Sequence, residues 1–152
     1  AQGSVQALAG LQDVLPTAAD LSGNPLDRDV MGESLQGVLS GGEDSVREMY
    51  ISQSLESPNQ RYMVRTLQWK YVYHELGGVQ ELYDVQADPR ELENLAADRP
   101  EVVSEMRGAL IDWVRENEDD TMLDESGDLV TSDEGLAECD CFNAARMGRR
   151  WY

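Results

Sequence analysis

Two runs rich in β-branched and aromatic residues, Arg61-Tyr62-Met63-Val64-Arg65-Thr66 and Trp69-Lys70-Tyr71-Val72-Tyr73, are joined by only Leu67-Gln68. Nothing else in the chain constrains its fold so strongly. A link that short pairs neighbouring strands antiparallel, because a parallel pair needs a long crossover. Glu48 to Leu55, apolar at 49 and 51 before the alternation is lost, and Glu81 to Val85 add two shorter runs, so about four strands with short connections are expected. Beyond Pro100 the apolar period becomes helical. Val103, Met106, Leu110, Trp113 and Val114 fall on one face, with Glu101 and Glu105 near the start and Arg115 near the end suiting the helix dipole. The expectation is an α+β fold: an antiparallel sheet of about four strands packed against a long C-terminal helix and preceded by short helices.

The short helices come from the first third. Asp13 to Leu21 reads as a helix with Pro16 in its first turn and Gly23 as its stop. Leu11, Val14, Leu15, Ala18, Ala19 and Leu21 give it an apolar face. Ser34 to Leu39 reads as another turn or two, broken by Gly41-Gly42. The sequence therefore divides into a helical segment, 1–46, a sheet-and-helix segment, 47–116, and an acidic tail, 117–152, read as mobile. The tail has ten acids, three arginines and no sustained period, with Leu129-Val130 or Trp151-Tyr152 as docking candidates.

Net charge is −18, and Lys70 is the only lysine among 12 basic residues. Such a balance excludes nucleic acid or an anionic membrane as the main partner, since phosphate contacts need clustered cations. It suits a soluble protein of a salt-adapted organism; a GC-rich genome with an acidic tail is the alternative. The 152 residues hold no apolar run of the kind that a signal segment or a membrane span needs. Cys139 and Cys141 are too close for an easy disulfide, and with His74, the one histidine, they cannot complete a four-ligand zinc site.

The segment Glu81 to Ala96 has a signature of its own. Leu82, Tyr83, Asp84 and Val85 lead into Asp88-Pro89-Arg90-Glu91, spaced as a helical start in which Asp88 caps and Glu91 reaches back; Asn94 and Leu95 follow. This string resembles "E-L-Y-D-L-x-x-D-P-x-E-x-x-N-L-A", found near the C-terminus of the sulfatase family in the alkaline-phosphatase-like superfamily, with Val85 the one departure. Asp13-Val14-Leu15-Pro16-Thr17 with Asp20-Leu21-Ser22-Gly23 resembles the family's "D-x-x-P-T-x-x-D-L-x-G". Gly32-Glu33-Ser34-Leu35 with Val38-Leu39 and Gly41-Gly42 is similar to "G-x-S-L-x-x-L-L-x-G". Met63-Val64-Arg65-Thr66 with Trp69-Lys70-Tyr71 is similar to "M-V-R-T-x-x-x-K-Y". The four blocks keep the family's order.

The resemblance implies the C-terminal portion of a sulfatase-like hydrolase, whose full-length parent hydrolyses sulfuric esters and uses calcium or magnesium. In such a parent this portion helps form the substrate cleft and packs on a large catalytic domain, with a sulfated small molecule or carbohydrate as substrate. The family's nucleophile, a formylglycine made within "C/S-x-P/A-x-R", has no match. Cys141 comes nearest, but Arg146 falls one residue late and Asn143 replaces Pro or Ala. Asp119-Asp120 is the one Asp-Asp pair, and it follows a helix instead of an apolar strand. No catalytic or metal-binding residue and no cofactor are therefore assigned to this chain, which is expected to be non-catalytic alone and cut from something longer. His74 and Arg65 are the candidates for a substrate-cleft rim, each set against an exposed strand residue with no role. Trp69, Tyr71, Tyr73 and Trp113 are read as sheet–helix core in preference to a sugar platform. Leu82, Tyr83, Asp84, Asp88, Pro89, Glu91, Asn94 and Leu95 are read as structural. Two alternatives stay open: a phosphonate or phosphodiester hydrolase of the same superfamily, and a stand-alone binding module. The compartment, cytoplasmic or exported, is open as well.

Overall fold

The computed structural model describes residues 5–54, 60–117 and 122–133. Among the described residues three helices and four strands occur in the order α1 (Val14–Leu21), α2 (Gln36–Ser40), β1 (Tyr50–Ser54), β2 (Arg61–Arg65), β3 (Trp69–His74), β4 (Val79–Asp84) and α3 (Pro100–Glu116), with a 3-10 turn at Leu11–Asp13 before α1. The chain forms two compact units, Ala1–Tyr50 and Ile51–Tyr152. Cys139, Cys141, Asp119-Asp120 and Trp151-Tyr152 lie outside the described residues.

The second unit is the expected α+β arrangement. Its four strands lie in the order β1-β2-β3-β4. Antiparallel register pairs Tyr62 with Tyr73 and Val64 with Tyr71 between β2 and β3, then Tyr71 with Leu82 between β3 and β4. Side chains alternate across a strand, so Tyr62, Val64, Tyr71, Tyr73 and Leu82 share one face. That face meets Met106, Leu110 and Val114 of α3, and all of these are buried. Trp69 and Trp113 pack half-buried against this core, so the aromatics serve the sheet–helix interior. Pro100 opens α3 at a position where no intrahelical N–H is needed, with Glu101 in the first turn and Arg115 in the last.

Part of the acidic tail is a packed strap. Met122 and Leu129 are buried in the core. Tyr73 donates its hydroxyl to Val130 O at 3.0 Å, Gly77 N–H donates to Ser132 O and Ser132 N–H to Glu75 O. Arg107 pairs with Asp128. Leu129 docks, as its apolar character suggested. The segment has no period because it is a turn around Asp124, whose carboxylate accepts from Ser126 and Asp128 N–H.

The first unit explains two of the sequence blocks. Asp13 is fully buried. Its carboxylate accepts from Gly10 N–H at 2.7 Å, Glu33 N–H at 2.9 Å, and both Arg47 terminal nitrogens at 2.6 and 2.7 Å. Thr17 Oγ1 accepts from Leu35 N–H at 2.9 Å. Asp13 and Thr17 of the first block thus hold the backbone of the second. Gly32 has no side-chain alternative: a Cβ there would lie 2.0 Å from Gln12 O. Gly41, left-handed at φ 77°, ends α2. Leu8, Pro16 and Val38 are buried, but Leu11, Val14, Leu15, Leu21, Met31 and Leu39 are exposed.

Candidate functional site

The Glu81–Ala96 signature is a device for closing a sheet edge. β4 is an outer strand, and its free N–H and C=O groups would otherwise invite another strand. Asn94 Oδ1 accepts from Leu82 N–H at 3.0 Å, Asn94 Nδ2 donates to Gln80 O, and Leu95 N–H donates to Leu82 O at 2.8 Å. One amide side chain and one backbone step therefore imitate a fifth strand. Asp84 Oδ1 accepts from Gln86 and Ala87 N–H, and Gln68 donates to its Oδ2; these bonds hold its carboxyl below the usual range.

The expected helical start at Asp88 does not form. Asp88 does cap, accepting from Arg90, Leu92 and Glu93 N–H, but the chain continues in turns. Glu91 explains the difference. It is left-handed at φ 54°, and its carboxylate takes Lys70 Nζ at 2.7 Å instead of reaching back to the cap. Local side-chain bonds from Asp88 compete with the helix and win.

The two rim candidates separate. Arg65 is half-buried, and its guanidinium donates to Thr66 O and Trp69 O, clipping the β2–β3 hairpin. Burial lowers its pKa from the ordinary guanidinium value. His74 instead lines a groove of about 450 Å³ with Ser52, Ser54, Arg61, Lys70 and Glu81. Its side chain is 17% exposed, well short of an open strand end, and Nε2 lies 3.6 Å from Glu81 Oε2. The imidazole beside it holds the Glu81 carboxyl below the usual range against the opposing effect of burial.

The groove lies on the sheet face opposite α3. Arg61, Met63 and Arg65 alternate with Tyr62 and Val64 along β2, and Lys70, Val72 and His74 alternate with Tyr71 and Tyr73 along β3. Arg61 stands directly across from His74, and Val72 across from Glu81. The alternation was visible in the sequence; assigning its polar half to one face would have added Arg61, Lys70 and Glu81 to His74. Among the described residues no three His, Cys, Asp or Glu groups converge as a cation site. No described helix is long and apolar enough to cross a membrane.

Residues 1–117 match the family model described as N-sulphoglucosamine sulphohydrolase, C-terminal. The chain belongs to this family of sulfatase C-terminal regions. It is 32% identical over 116 residues to arylsulfatase K of Bos taurus, covering 67% of this chain and 21% of that protein. It is also 32% identical over 115 residues to the Delta 4,5-hexuronate-2-O-sulfatase of Bacteroides thetaiotaomicron, covering 71% and 24%. Among solved structures, a 2-O GAG sulfatase aligns with a TM-score of 0.64 at 29% identity, covering 79% of this chain and 27% of that one. Another, solved in complex with its substrate D-glucosamine-2-N,6-O-disulfate, aligns at 0.61 and 26% identity, covering 70% and 24%. The chain thus spans about a quarter or less of the length of these relatives.

Proposed function

We propose that this chain is the C-terminal region of a sulfatase that removes sulfate from a sulfated sugar, and that it performs no bond breaking itself. The match of residues 1–117 to a sulfatase C-terminal family carries the reading. The hexuronate sulfatase and the glucosamine-disulfate complex among its relatives support the carbohydrate. The formylglycine and a calcium or magnesium ion belong to a catalytic domain outside this chain, where the metal would stabilise charge on the sulfate.

One feature of the chain supports a partner domain of that kind. The apolar residues of α1 and the turn before it, Leu11, Val14, Leu15 and Leu21, stand in solvent, and contiguous exposed apolar surface marks an interaction face. The catalytic domain covers that face in the whole protein. In this reading His74 is the cleft-rim candidate, while Arg65 keeps the β2–β3 hairpin in shape.

Expression of the whole reading frame that encodes Ala1–Tyr152 tests the reading. The product is expected to release sulfate from sulfated uronic acid or glucosamine and to leave phosphonate and phosphodiester esters intact. Its coding sequence should contain a "C/S-x-P/A-x-R" motif and two metal-ligand pairs. The 152-residue chain alone should not turn over an aryl sulfate. Phosphodiester cleavage without sulfate release would replace the proposal with the other superfamily chemistry.

A further inference from the structure

His74 is the chain's one histidine, and imidazole is the side chain whose ordinary titration falls between about pH 5 and pH 8. The cross-strand register sets what it meets on the sheet face opposite α3. Arg61, His74 and Val79 form one row across β2, β3 and β4, and Met63, Val72 and Glu81 form the next. His74 and Glu81 are therefore diagonal neighbours on adjacent strands. Their side chains are 17% and 20% exposed, and Nε2 stands 3.6 Å from Glu81 Oε2. That separation suits an ion pair but exceeds a hydrogen bond, and Nε2 is buried with no hydrogen-bond partner. A charged imidazole closes such a gap to roughly 2.8 Å, the length of a charge-assisted bond. A neutral one brings no charge, and in one of its two tautomers it turns a lone pair to the carboxylate.

The other groups around the pair do not replace it. His74 has the largest influence in holding the Glu81 carboxyl below its usual range, with burial opposing; the Tyr83 hydroxyl adds a hydrogen bond and Lys70 acts through space. Lys70 is itself tied to Glu91 at 2.7 Å. Arg61, directly across from His74, opposes the imidazolium, and Arg65 donates to Thr66 O and Trp69 O. The rest of the groove lining, Ser52, Gln53, Ser54, Tyr62, Met63 and Val72, carries no charge at neutral pH.

We propose that His74 and Glu81 form a pH-operated clip between β3 and β4, closed while the imidazole is charged and released as it becomes neutral. Release leaves the Glu81 carboxylate opposite Val72 in a half-buried groove, without the cation beside it. β4 is the outer strand, and the next residue, Leu82, is the one whose N–H and C=O are taken by Asn94 and Leu95. Opening the clip therefore loosens the strand that the Glu81–Ala96 signature covers. A carboxyl held low contributes stability that is complete above its unfolded pKa, whereas a charged imidazole contributes only below its own titration. The clip is thus strongest in mildly acid solution and fades as pH rises through neutrality. It depends on the β3–β4 register and not on the sulfatase reading.

NMR of the 152-residue chain between about pH 5 and pH 8, at fixed ionic strength, tests the clip. The single imidazole gives one set of ring signals, and the Glu81 Cδ signal reports the carboxylate. Both should move with one midpoint although Glu81 stays ionised, because its signal follows the loss of the neighbouring charge. Amide protection at Leu82 and Leu95, corrected for intrinsic exchange, should fall about two- to fivefold as pH rises, the scale of a partly exposed ion pair. His74→Gln, which carries no charge at any pH, should remove that fall and hold protection at the level the parent shows near pH 8. Glu81→Gln should flatten it as well. A Glu81 signal that stays still while the imidazole titrates would overturn the clip, and this readout needs no variant to fold. The same fall in protection in His74→Gln would overturn it too.

Discussion

In the sheet-and-helix unit Leu82, Leu110 and Val114 have no exposed surface, whereas in the first unit Leu11, Val14, Leu15 and Leu21 are each more than half exposed. Both units are made of amphipathic elements, but only one closes its apolar face. The second uses a helix of 17 residues against a sheet, enough to exclude water from a continuous core. The first has helices of 8 and 5 residues, and it is organised by a polar knot: Asp13, Arg47, Thr17 and the backbone groups of Leu8, Gly10, Asp13, Glu33 and Leu35. Charge and hydrogen bonds fix the shape of the first unit without hiding its surface. A region built in this way is shaped for a neighbour.

The contrast can be broken at its strongest point first. Asp13→Ala leaves the Arg47 guanidinium buried without its bidentate partner, and losing one member of a buried pair costs roughly 3–5 kcal/mol. Amides of α1 and of residues 33–35 should lose their protection while those of β3 keep theirs. Loss of β3 protection as well would mean that the two units are one cooperative body.

The same chemical change should give different answers in the two units. Leu110→Ala should lower stability by about 2–5 kcal/mol, the cost of a cavity in a closed core. Leu11→Ala, at a residue 91% exposed, should change it by less than about 0.5 kcal/mol. In the whole protein the proposed cover of that face by a catalytic domain predicts that the Leu11 change becomes costly. Denaturant melts of both variants in both settings check this.

Acid sharpens the comparison. The Arg47 guanidinium and two backbone N–H groups hold Asp13 at a pKa of about 2, below the ordinary value of 3.8, despite its burial. A depressed carboxyl contributes stability that is complete above its unfolded pKa and lost as pH falls through the folded one. The first unit should therefore lose about 2 kcal/mol between roughly pH 5 and pH 2. Asp13→Asn should abolish most of that slope in a pH series of thermal melts.

A smaller effect belongs to the sheet edge. Asn94→Ala removes the acceptor for Leu82 N–H and should cost about 1–2 kcal/mol, with faster exchange at Leu82 and Ala96. An increase in self-association through the uncovered β4 edge should accompany it, measurable by light scattering.

Much of the second unit was legible because its signals are periodic. The alternation in β2 and β3, the two-residue link between them, and the helical face from Val103 to Val114 each follow from local geometry. The strap at residues 122–133 was legible only as the docking candidate Leu129-Val130, since its packing depends on Leu129 meeting Tyr73, 56 residues away. Glu91 misled for a related reason. Its spacing from Asp88 suits a capping box, but Lys70, brought alongside by the sheet, is the stronger partner for its carboxylate. The groove was half legible. His74 stood out as the single histidine, whereas Arg61, Lys70 and Glu81 become neighbours only once the cross-strand register is known. Asp13 read only as the first residue of a helix, because Arg47 lies 34 residues away.

Native-state hydrogen exchange on the 152-residue chain tests most directly the claim that one unit is complete and the other awaits the rest of a sulfatase. The account predicts strong protection for β2, β3 and the Met106–Val114 stretch of α3, with protection in α1 weaker by at least a hundredfold. It also predicts that α1 becomes protected in the whole protein. Equal protection of α1 and β3 in the isolated chain would contradict it, since the helix would then need no catalytic domain to cover its leucines.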